Sequence, residues 1–267
     1  MKIFDCFTDN DERALLKLRL ETLDAHVDPF VIAQATRTFT GKPKPLRFNI
    51  NDVPEYRHKI HHIKIDNLSE DPADAWKIEH AQREALQRGF AQAASHDWII
   101  LSDGDEIPNP HVIRHDNREK YGSAVLEQRI SWYTLNNALV SENPDLNIRI
   151  TTVDHFRRHF KELRIPRSQK FAGPFRARHR LLSRKHTQHL KPGGWHFSYL
   201  MTIEEIRSFS HQEYNKPEFV DSAHIKSCIE RGVDIFKTGA RFNRIEIDES
   251  FPEPICKRPE KFRSLIF

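Results

Sequence analysis

Four short runs punctuate the first hundred residues: Ile3 to Phe7, Phe30-Val31-Ile32-Ala33, His62-Ile63-Lys64-Ile65 and Trp98-Ile99-Ile100-Leu101. Their length and their β-branched content predict strands, the second and fourth buried on both faces of a sheet. Leu15, Leu16, Leu18, Leu20 and Leu23 predict a helix with a broad apolar face. An Asp or Asn of the turn Thr8-Asp9-Asn10-Asp11 should cap it, and Asp28-Pro29 should end it. Ala73 to Ala94 predicts the longest helix, because Trp76, Ala81, Ala85, Leu86, Phe90 and Ala93 recur near helical spacing. Strand, helix, strand, helix, strand is the grammar of an α/β, doubly wound and mostly parallel twisted sheet flanked by helices.

Beyond that half the periodicity is weaker. Asn109 to His115 predicts a short helix, Ser123 to Leu135 an extended segment, and Val153 to Leu163 another helix. Lys191-Pro192-Gly193-Gly194 reads as a sharp break. Thr202, with Glu205 three residues on, has the form of a capping box before a helix, and a further helix should run from Asp221 towards Arg231. The organisation expected is one domain over 1–250. Its first half would span about 1–120 and its second about 121–250. The tail 251–267 should pack loosely over the surface.

Composition narrows the class. With 30% charged and 38% apolar residues in 267, the chain can bury a substantial core. No run approaches the roughly 18 apolar residues of a membrane span, and Met1-Lys2-Ile3-Phe4-Asp5 lacks the apolar stretch of a signal peptide. A cytoplasmic protein is expected, with at most peripheral membrane contact. Cys6, Cys228 and Cys256, odd in number and far apart, argue against a disulfide framework or a zinc cluster. The net charge is +4, but basic residues concentrate between Arg157 and Lys191. That predicts a positive face for phosphate-bearing substrates, and no nucleic-acid motif accompanies it.

The candidate chemistry lies at the end of the fourth strand. Asp97-Trp98-Ile99-Ile100-Leu101-Ser102-Asp103-Gly104-Asp105-Glu106-Ile107-Pro108 places three carboxylates directly on a buried strand, at the carboxyl edge where open α/β sheets bind ligands. A bare Asp-x-Asp is common in surface turns, but a surface turn does not need such crowding against a core strand. Asp103 and Asp105 can set oxygens around one hard divalent cation, which would in turn hold a diphosphate. Gly193-Gly194-Trp195-His196-Phe197-Ser198-Tyr199 is the natural partner segment, with Trp195 as a wall for a sugar or base and His196 as a further metal ligand. The loop Thr36 to Pro45, rich in Gly and Pro, leaves a strand end and is placed for substrate contacts. Ser208 to Glu213 adds a His and a carboxylate, and Glu213 is the candidate general base.

These residues resemble glycosyltransferase family 17. The resemblance is carried by the acidic strand and turn, by Gly194-Trp195-His196-Phe197-Ser198-Tyr199, and by Thr38-Phe39-Thr40-Gly41-Lys42-Pro43. It extends to the Leu15 to Leu20 helix after Glu12 and to the Glu79…Gln82-Arg83 helix, so it spans most of the chain from about Phe4 to about Ile235. It implies a GT-A, Rossmann-like fold, a UDP-sugar donor, and Mn²⁺ or Mg²⁺ on Asp103 and Asp105, to which His196 would add the further ligand read above. Thr38, Gly41, Arg83, Asp103 and Trp195 would contact the donor, with Asp105 and Glu213 catalytic. Two departures stand out: Gln34 where the family usually has Glu, and the missing membrane anchor and stem of the Golgi members. The second points to a bacterial or viral type of enzyme.

The reading is therefore a metal-dependent inverting glycosyltransferase moving a sugar, GlcNAc being one candidate, from a UDP-sugar to a glycan or lipid-linked acceptor. A metal-dependent nucleotidyltransferase is the enzymatic alternative, although Phe4 to Thr8 has no glycine for a phosphate loop. The non-enzymatic alternative is a basic protein binding nucleic acid or polysaccharide.

Overall fold

The computed structural model describes residues 1–10, 12–38, 40–71, 75–113, 121–140, 145–163, 187–214 and 221–266. The strands are β1 (Ile3–Thr8), β2 (Phe30–Ala35), β3 (Ile60–Ile65), β4 (Trp98–Asp103), β5 (Glu106–Pro108), β6 (Ser123–Trp132), β7 (Asn137–Leu139), β8 (Arg149–Thr152), β9 (Thr187–Ser198) and β10 (Phe242–Arg244). The helices are α1 (Arg13–Leu23), α2 (Ala75–Ala85), α3 (Pro110–Ile113), α4 (Val153–Leu163), α5 (Ile203–Tyr214), α6 (Ser222–Arg231) and α7 (Glu253–Lys257). All ten strands join one sheet in the order β10-β7-β6-β8-β4-β1-β2-β3, with β9 against β6 and β5. The four strands β3, β2, β1 and β4 are mutually parallel, and the apolar runs of β2 and of the first half of β4 fit the centre of such a sheet. From β4 outward the sheet turns mixed, because β8 enters antiparallel between β4 and β6.

Strand alternation divides the core. Phe7, Phe30, Ile32 and Ile100 meet Leu16, Leu20 and Leu23 of α1 on one face. Cys6, Val31, Ala33 and Ile99 meet Ile78, Leu86, Phe90 and Phe156 on the other. The α/β architecture and parallel core are as the sequence predicts.

Several local expectations are corrected. Glu12 is the N-cap of α1 and its side chain makes no capping hydrogen bond; it lies instead beside Asp9 and the acids of the site described below. The long helix stops at Ala85 and tightens into a 3₁₀ turn over Leu86–Phe90. Gly89 sits there because a Cβ would lie 2.2 Å from Val31 Cγ1, so the chain tightens where it touches the sheet. Lys191 to Gly194 does not break the chain but lies inside β9, where the pairing with β6 shifts register between Leu126 and Gln128. A Cβ on Gly193 would come within 2.3 Å of the Glu127 amide, so only glycine permits this close approach. The tail is not loose: Phe251, Ile255 and Phe262 are buried against Leu15, Leu18, Ile107 and Trp195. The capping box holds, with Glu205 accepting from the Thr202 amide at 2.8 Å and Thr202 Oγ1 from the Glu205 amide at 3.2 Å.

Asp97 anchors the sheet at the opposite edge from the acidic turn. Its carboxylate accepts from the Lys2 amide at 2.7 Å and the Ala94 amide at 2.9 Å. Burial opposes its charge, but the two backbone donors outweigh burial and hold the pKa below the usual aspartate value. A depressed carboxylate stabilises the fold above its unfolded pKa and loses that contribution as pH falls through the native value. Asp97→Ala should therefore lower stability by about 1–3 kcal/mol at pH 7. Denaturant midpoints of variant and wild type should converge below about pH 4; a gap independent of pH would refute the charge-dependent anchor.

Candidate active site

Arg19 organises the acidic turn from below. It projects from the apolar face of α1 and, like its partner Asp5 in the middle of β1, has no exposed side chain. Nε and Nη2 each donate to Asp5 at 2.7 Å, in a bidentate fork. Nη1 donates to the carbonyls of Asp103 at 3.0 Å and Glu106 at 2.8 Å, and Nη2 also reaches Ser102 Oγ at 2.6 Å. The guanidinium stacks on Phe7, 4.0 Å from its centroid. Its five N–H groups thus bind β1 and both ends of the turn 103–106 together.

Above this pin, Gly104 presses against β1. A Cβ there would lie 2.7 Å from Glu12 Oε2 and 3.0 Å from the Thr8 carbonyl. Asp103 turns towards α2, accepting from Arg83 Nη2 at 2.9 Å and from Thr8 Oγ1 at 3.0 Å. Arg83 also pairs with Glu79 at 3.2 Å. Asp105 and Glu106 turn the other way, since β5 pairs with β9 in a register that sets Glu106 opposite His196.

His196 is the centre of the cluster. Its Nδ1 is 2.6 Å from Asp145 Oδ2, and its Nε2 is 3.1 Å from Asp105 Oδ2 and 3.0 Å from Ser198 Oγ. Burial disfavours charge on the ring, yet Asp105, Asp145 and Glu106 outweigh it and raise its pKa well above the ordinary imidazole value. Burial, reinforced by Asp103, Asp105 and Asp145 against the pull of His196, pushes Glu106 up to about 8. Burial also raises Glu12 well above the usual carboxylate range, with Asp105, Asp9 and Asp103 adding to it. Glu106 Oε2 accepts from the Asp103 amide at 2.9 Å, whereas its Oε1, 3.9 Å from His196 Nδ1, is buried with no hydrogen-bond partner among the described residues.

One ligand atom each from Glu106, Asp145 and His196 lie within 4.8 Å of one another. Carboxylates and a neutral imidazole are the donors a hard or borderline divalent cation takes, and the orphaned Oε1 is an acceptor such an ion would satisfy. These residues therefore fit the implied metal. Asp103, expected among its ligands, is instead engaged by Arg83, and Asp145 and Glu106 take its place in the cluster.

The other site residues lie elsewhere. Trp195 is buried on the opposite face, its Nε1 donating to the Ser250 carbonyl at 2.9 Å; it cannot wall the cluster that His196 enters. Thr38 is buried and its Oγ1 accepts from the Lys42 amide at 3.1 Å. Gly41 has φ +77° and lies against the Glu70 carbonyl. Both residues fold their own loop, which Lys44 ties to Asn10 at the end of β1. Gln34 bridges Asp9 Oδ2, to which it donates at 2.5 Å, and the Phe48 amide. Glu213 belongs to α5, but its side chain lies outside the described residues, as do 164–186 of the basic segment. The described cations at that segment's ends serve local structure: Arg157 donates to the Ala91 carbonyl at 3.0 Å and Lys191 pairs with Glu127 at 2.6 Å.

Between α1 and the loop 47–53 is a cavity of about 410 Å³. Leu16 and Phe48 give it an apolar floor, and Arg13, Lys17, Arg47 and Asp9 give it a charged rim. Among the described residues, no helix is long and apolar enough to cross a membrane.

Sequence reasoning did not find Arg19 and Asp145. An Arg on an otherwise apolar helix face, opposite an Asp inside an apolar strand, was the available signal for the first. Asp145 carries none, since it reaches the site through an isolated bridge with Gln128.

Human and rat β-1,4-mannosyl-glycoprotein 4-β-N-acetylglucosaminyltransferases are each 31% identical over 116 residues, 40% of this chain and 22% of theirs. The chain thus spans less than a quarter of the length of these relatives. Among solved structures, residues 1–349 of TarS from S. aureus align with 84% of this chain and 68% of that one, at 12% identity and a TM-score of 0.40. The glycosyltransferase GlyE of Streptococcus pneumoniae TIGR4 aligns with 71% and 45%, at 8% identity and a TM-score of 0.37. The profile of glycosyltransferase family 17 matches residues 1–133, which include Asp5, Arg19, Arg83 and the whole acidic turn. That match, together with the likeness to the acetylglucosaminyltransferases, supports placing residues 1–133 with glycosyltransferase family 17.

Proposed function

We propose that this protein transfers a sugar from a UDP-linked donor, UDP-GlcNAc first among candidates, to a hydroxyl of a glycan or lipid-linked acceptor, with inversion at the anomeric carbon. The observation that carries this reading is the buried Glu106 Oε1, which has no hydrogen-bond partner among the described residues and lies in one cluster with Asp145 and His196, inside the portion that matches the family. Glu106, Asp145 and His196 would hold Mn²⁺ or Mg²⁺, with Asp105 adding its charge from the Nε2 side of the imidazole. Bound there, the ion would neutralise the departing diphosphate.

The chain's own residues supply the rest. The cavity beside α1 suits a nucleotide, with Phe48 against the base and Arg13, Lys17 and Arg47 towards phosphate oxygens. Arg83 adds a guanidinium at Asp103, which fixes its direction. Arg19 holds the turn rigid, so the cluster needs little rearrangement when the donor arrives. Glu213 on α5 is the proposed base for the acceptor hydroxyl.

A thermal-shift panel of UDP, GDP, CDP and ADP with and without Mn²⁺ tests the reading. UDP and Mn²⁺ together should raise Tm by more than the sum of either alone, because each completes the other's site. No synergy for any nucleotide would overturn the assignment. If Glu213→Gln turns over normally, Glu213 is not the base.

A further inference from the structure

We propose that Trp132 is the stacking platform on which the acceptor sugar lies during transfer. The proposal rests on the glycosyl-transfer reading and deepens it.

Strand register puts the indole beside the cluster. In the parallel pair β6 and β9, Ile130 is opposite His196 and Trp132 opposite Ser198. In the antiparallel pair β5 and β9, Glu106 is opposite His196. Partnered residues share a face, and so do alternate residues of one strand. Glu106, His196, Ser198, Ile130 and Trp132 therefore lie on one side, with Trp195 on the other. Trp132 is one strand repeat, about 7 Å, beyond the His196 row. Ser198 joins the two rows, because its Oγ is 3.0 Å from His196 Nε2.

The indole is also held ready. It stacks on Phe242 with centroids 5.1 Å apart and planes at 27°, while Tyr199 crosses it at 5.0 Å and 67°. Despite this support it is only half-buried. Both strands turn away directly after this pair, at Tyr133 with φ 68° and Tyr199 with φ 58°. Bulky residues rarely adopt that backbone, and such positions concentrate where a ligand clamp is built. A pyranose offers an apolar C–H face and a rim of hydroxyls. An indole beside a polar cluster accepts the first and leaves the second directed at Ser198 and the reacting centre.

The test uses methyl β-D-mannopyranoside and methyl N-acetyl-β-D-glucosaminide as probes, titrated by saturation-transfer NMR in the presence of UDP and Mn²⁺. At least one should bind saturably, with transfer strongest to the C–H protons of one ring face. Trp132→Ala should bind it about tenfold more weakly, the scale of one lost aromatic contact. Trp132→Phe should retain part of the affinity and lose the sugar-dependent change in indole fluorescence shown by the wild type. The UDP and Mn²⁺ thermal shift should be the same in all three. If Trp132→Ala does not fold, the fluorescence arm with Trp132→Phe decides alone. Absence of binding by wild type, equal affinity in Trp132→Ala, or a fluorescence change surviving in Trp132→Phe overturns the platform. Sugar binding through Trp132 without any nucleotide synergy would overturn the transfer reading and leave the platform standing.

Discussion

Arg19→Ala is expected to destabilise the protein by about 3–5 kcal/mol, the cost of removing one partner from a fully buried ion pair. Asp5, with no exposed surface, would keep a charge that neither water nor another cation reaches. The Asp103 and Glu106 carbonyls and Ser102 Oγ would lose their donor at the same time. Arg19→Lys should restore little, because an ammonium cannot fork to Asp5 and still reach both carbonyls. The double substitution Arg19→Met with Asp5→Leu separates stability from chemistry. It should recover much of the urea midpoint while leaving the acidic turn without its pin, and hence activity low. Recovery of both would mean that the turn holds its shape unaided.

Asp105→Ala is expected to remove cation-dependent UDP binding and lower turnover by at least about a hundredfold, the scale of losing one preorganised electrostatic group. The fold should survive, because the Asp105 backbone carbonyl keeps its bond from the Phe197 amide at 2.8 Å and His196 Nε2, losing the carboxylate, still has Ser198 Oγ. Cation binding should also depend steeply on pH. Glu106, pushed up to about 8, carries a proton at pH 7 that a ligated ion must displace, and the upward shift of His196 acts in the same direction. Affinity should therefore fall as pH is lowered below about 8, by roughly tenfold per unit for each proton displaced. Calorimetry in buffers of different ionisation enthalpy would count those protons. A count of zero at pH 7 would contradict the cluster's charge state, and unchanged UDP and Mn²⁺ synergy in Asp105→Ala would sink its role.

Contiguity decided what the sequence could reveal. The strand from Trp98 and its acidic turn were legible because core run, turn glycine and carboxylates follow one another without a gap. His196 was found for a similar reason, through its Gly-Gly-Trp-His neighbourhood. Trp195 was assigned to the same site, yet adjacent strand residues point to opposite faces, so one of the two had to turn away. The register shift inside β9 hid which one. Asp145 stayed invisible because its link to the cluster runs across the sheet and leaves no spacing along the chain. The loop of Thr38 and Gly41 looked like a binding loop because glycine and threonine suit both purposes, and here they close the loop on itself.

The place of β8 in the sheet has a consequence for anyone wishing to graft acceptor specificity between relatives. Residues 149–152 slot between β4 and β6, both of which lie within the portion that matches the family. A transplant cut at the end of that portion would leave β4 with a bare edge, an invitation to intermolecular pairing. It would also lack the imidazole opposite Glu106. The recognisable part of the sequence is thus not an exchangeable module, and a working chimera has to carry β8 and β9 with it.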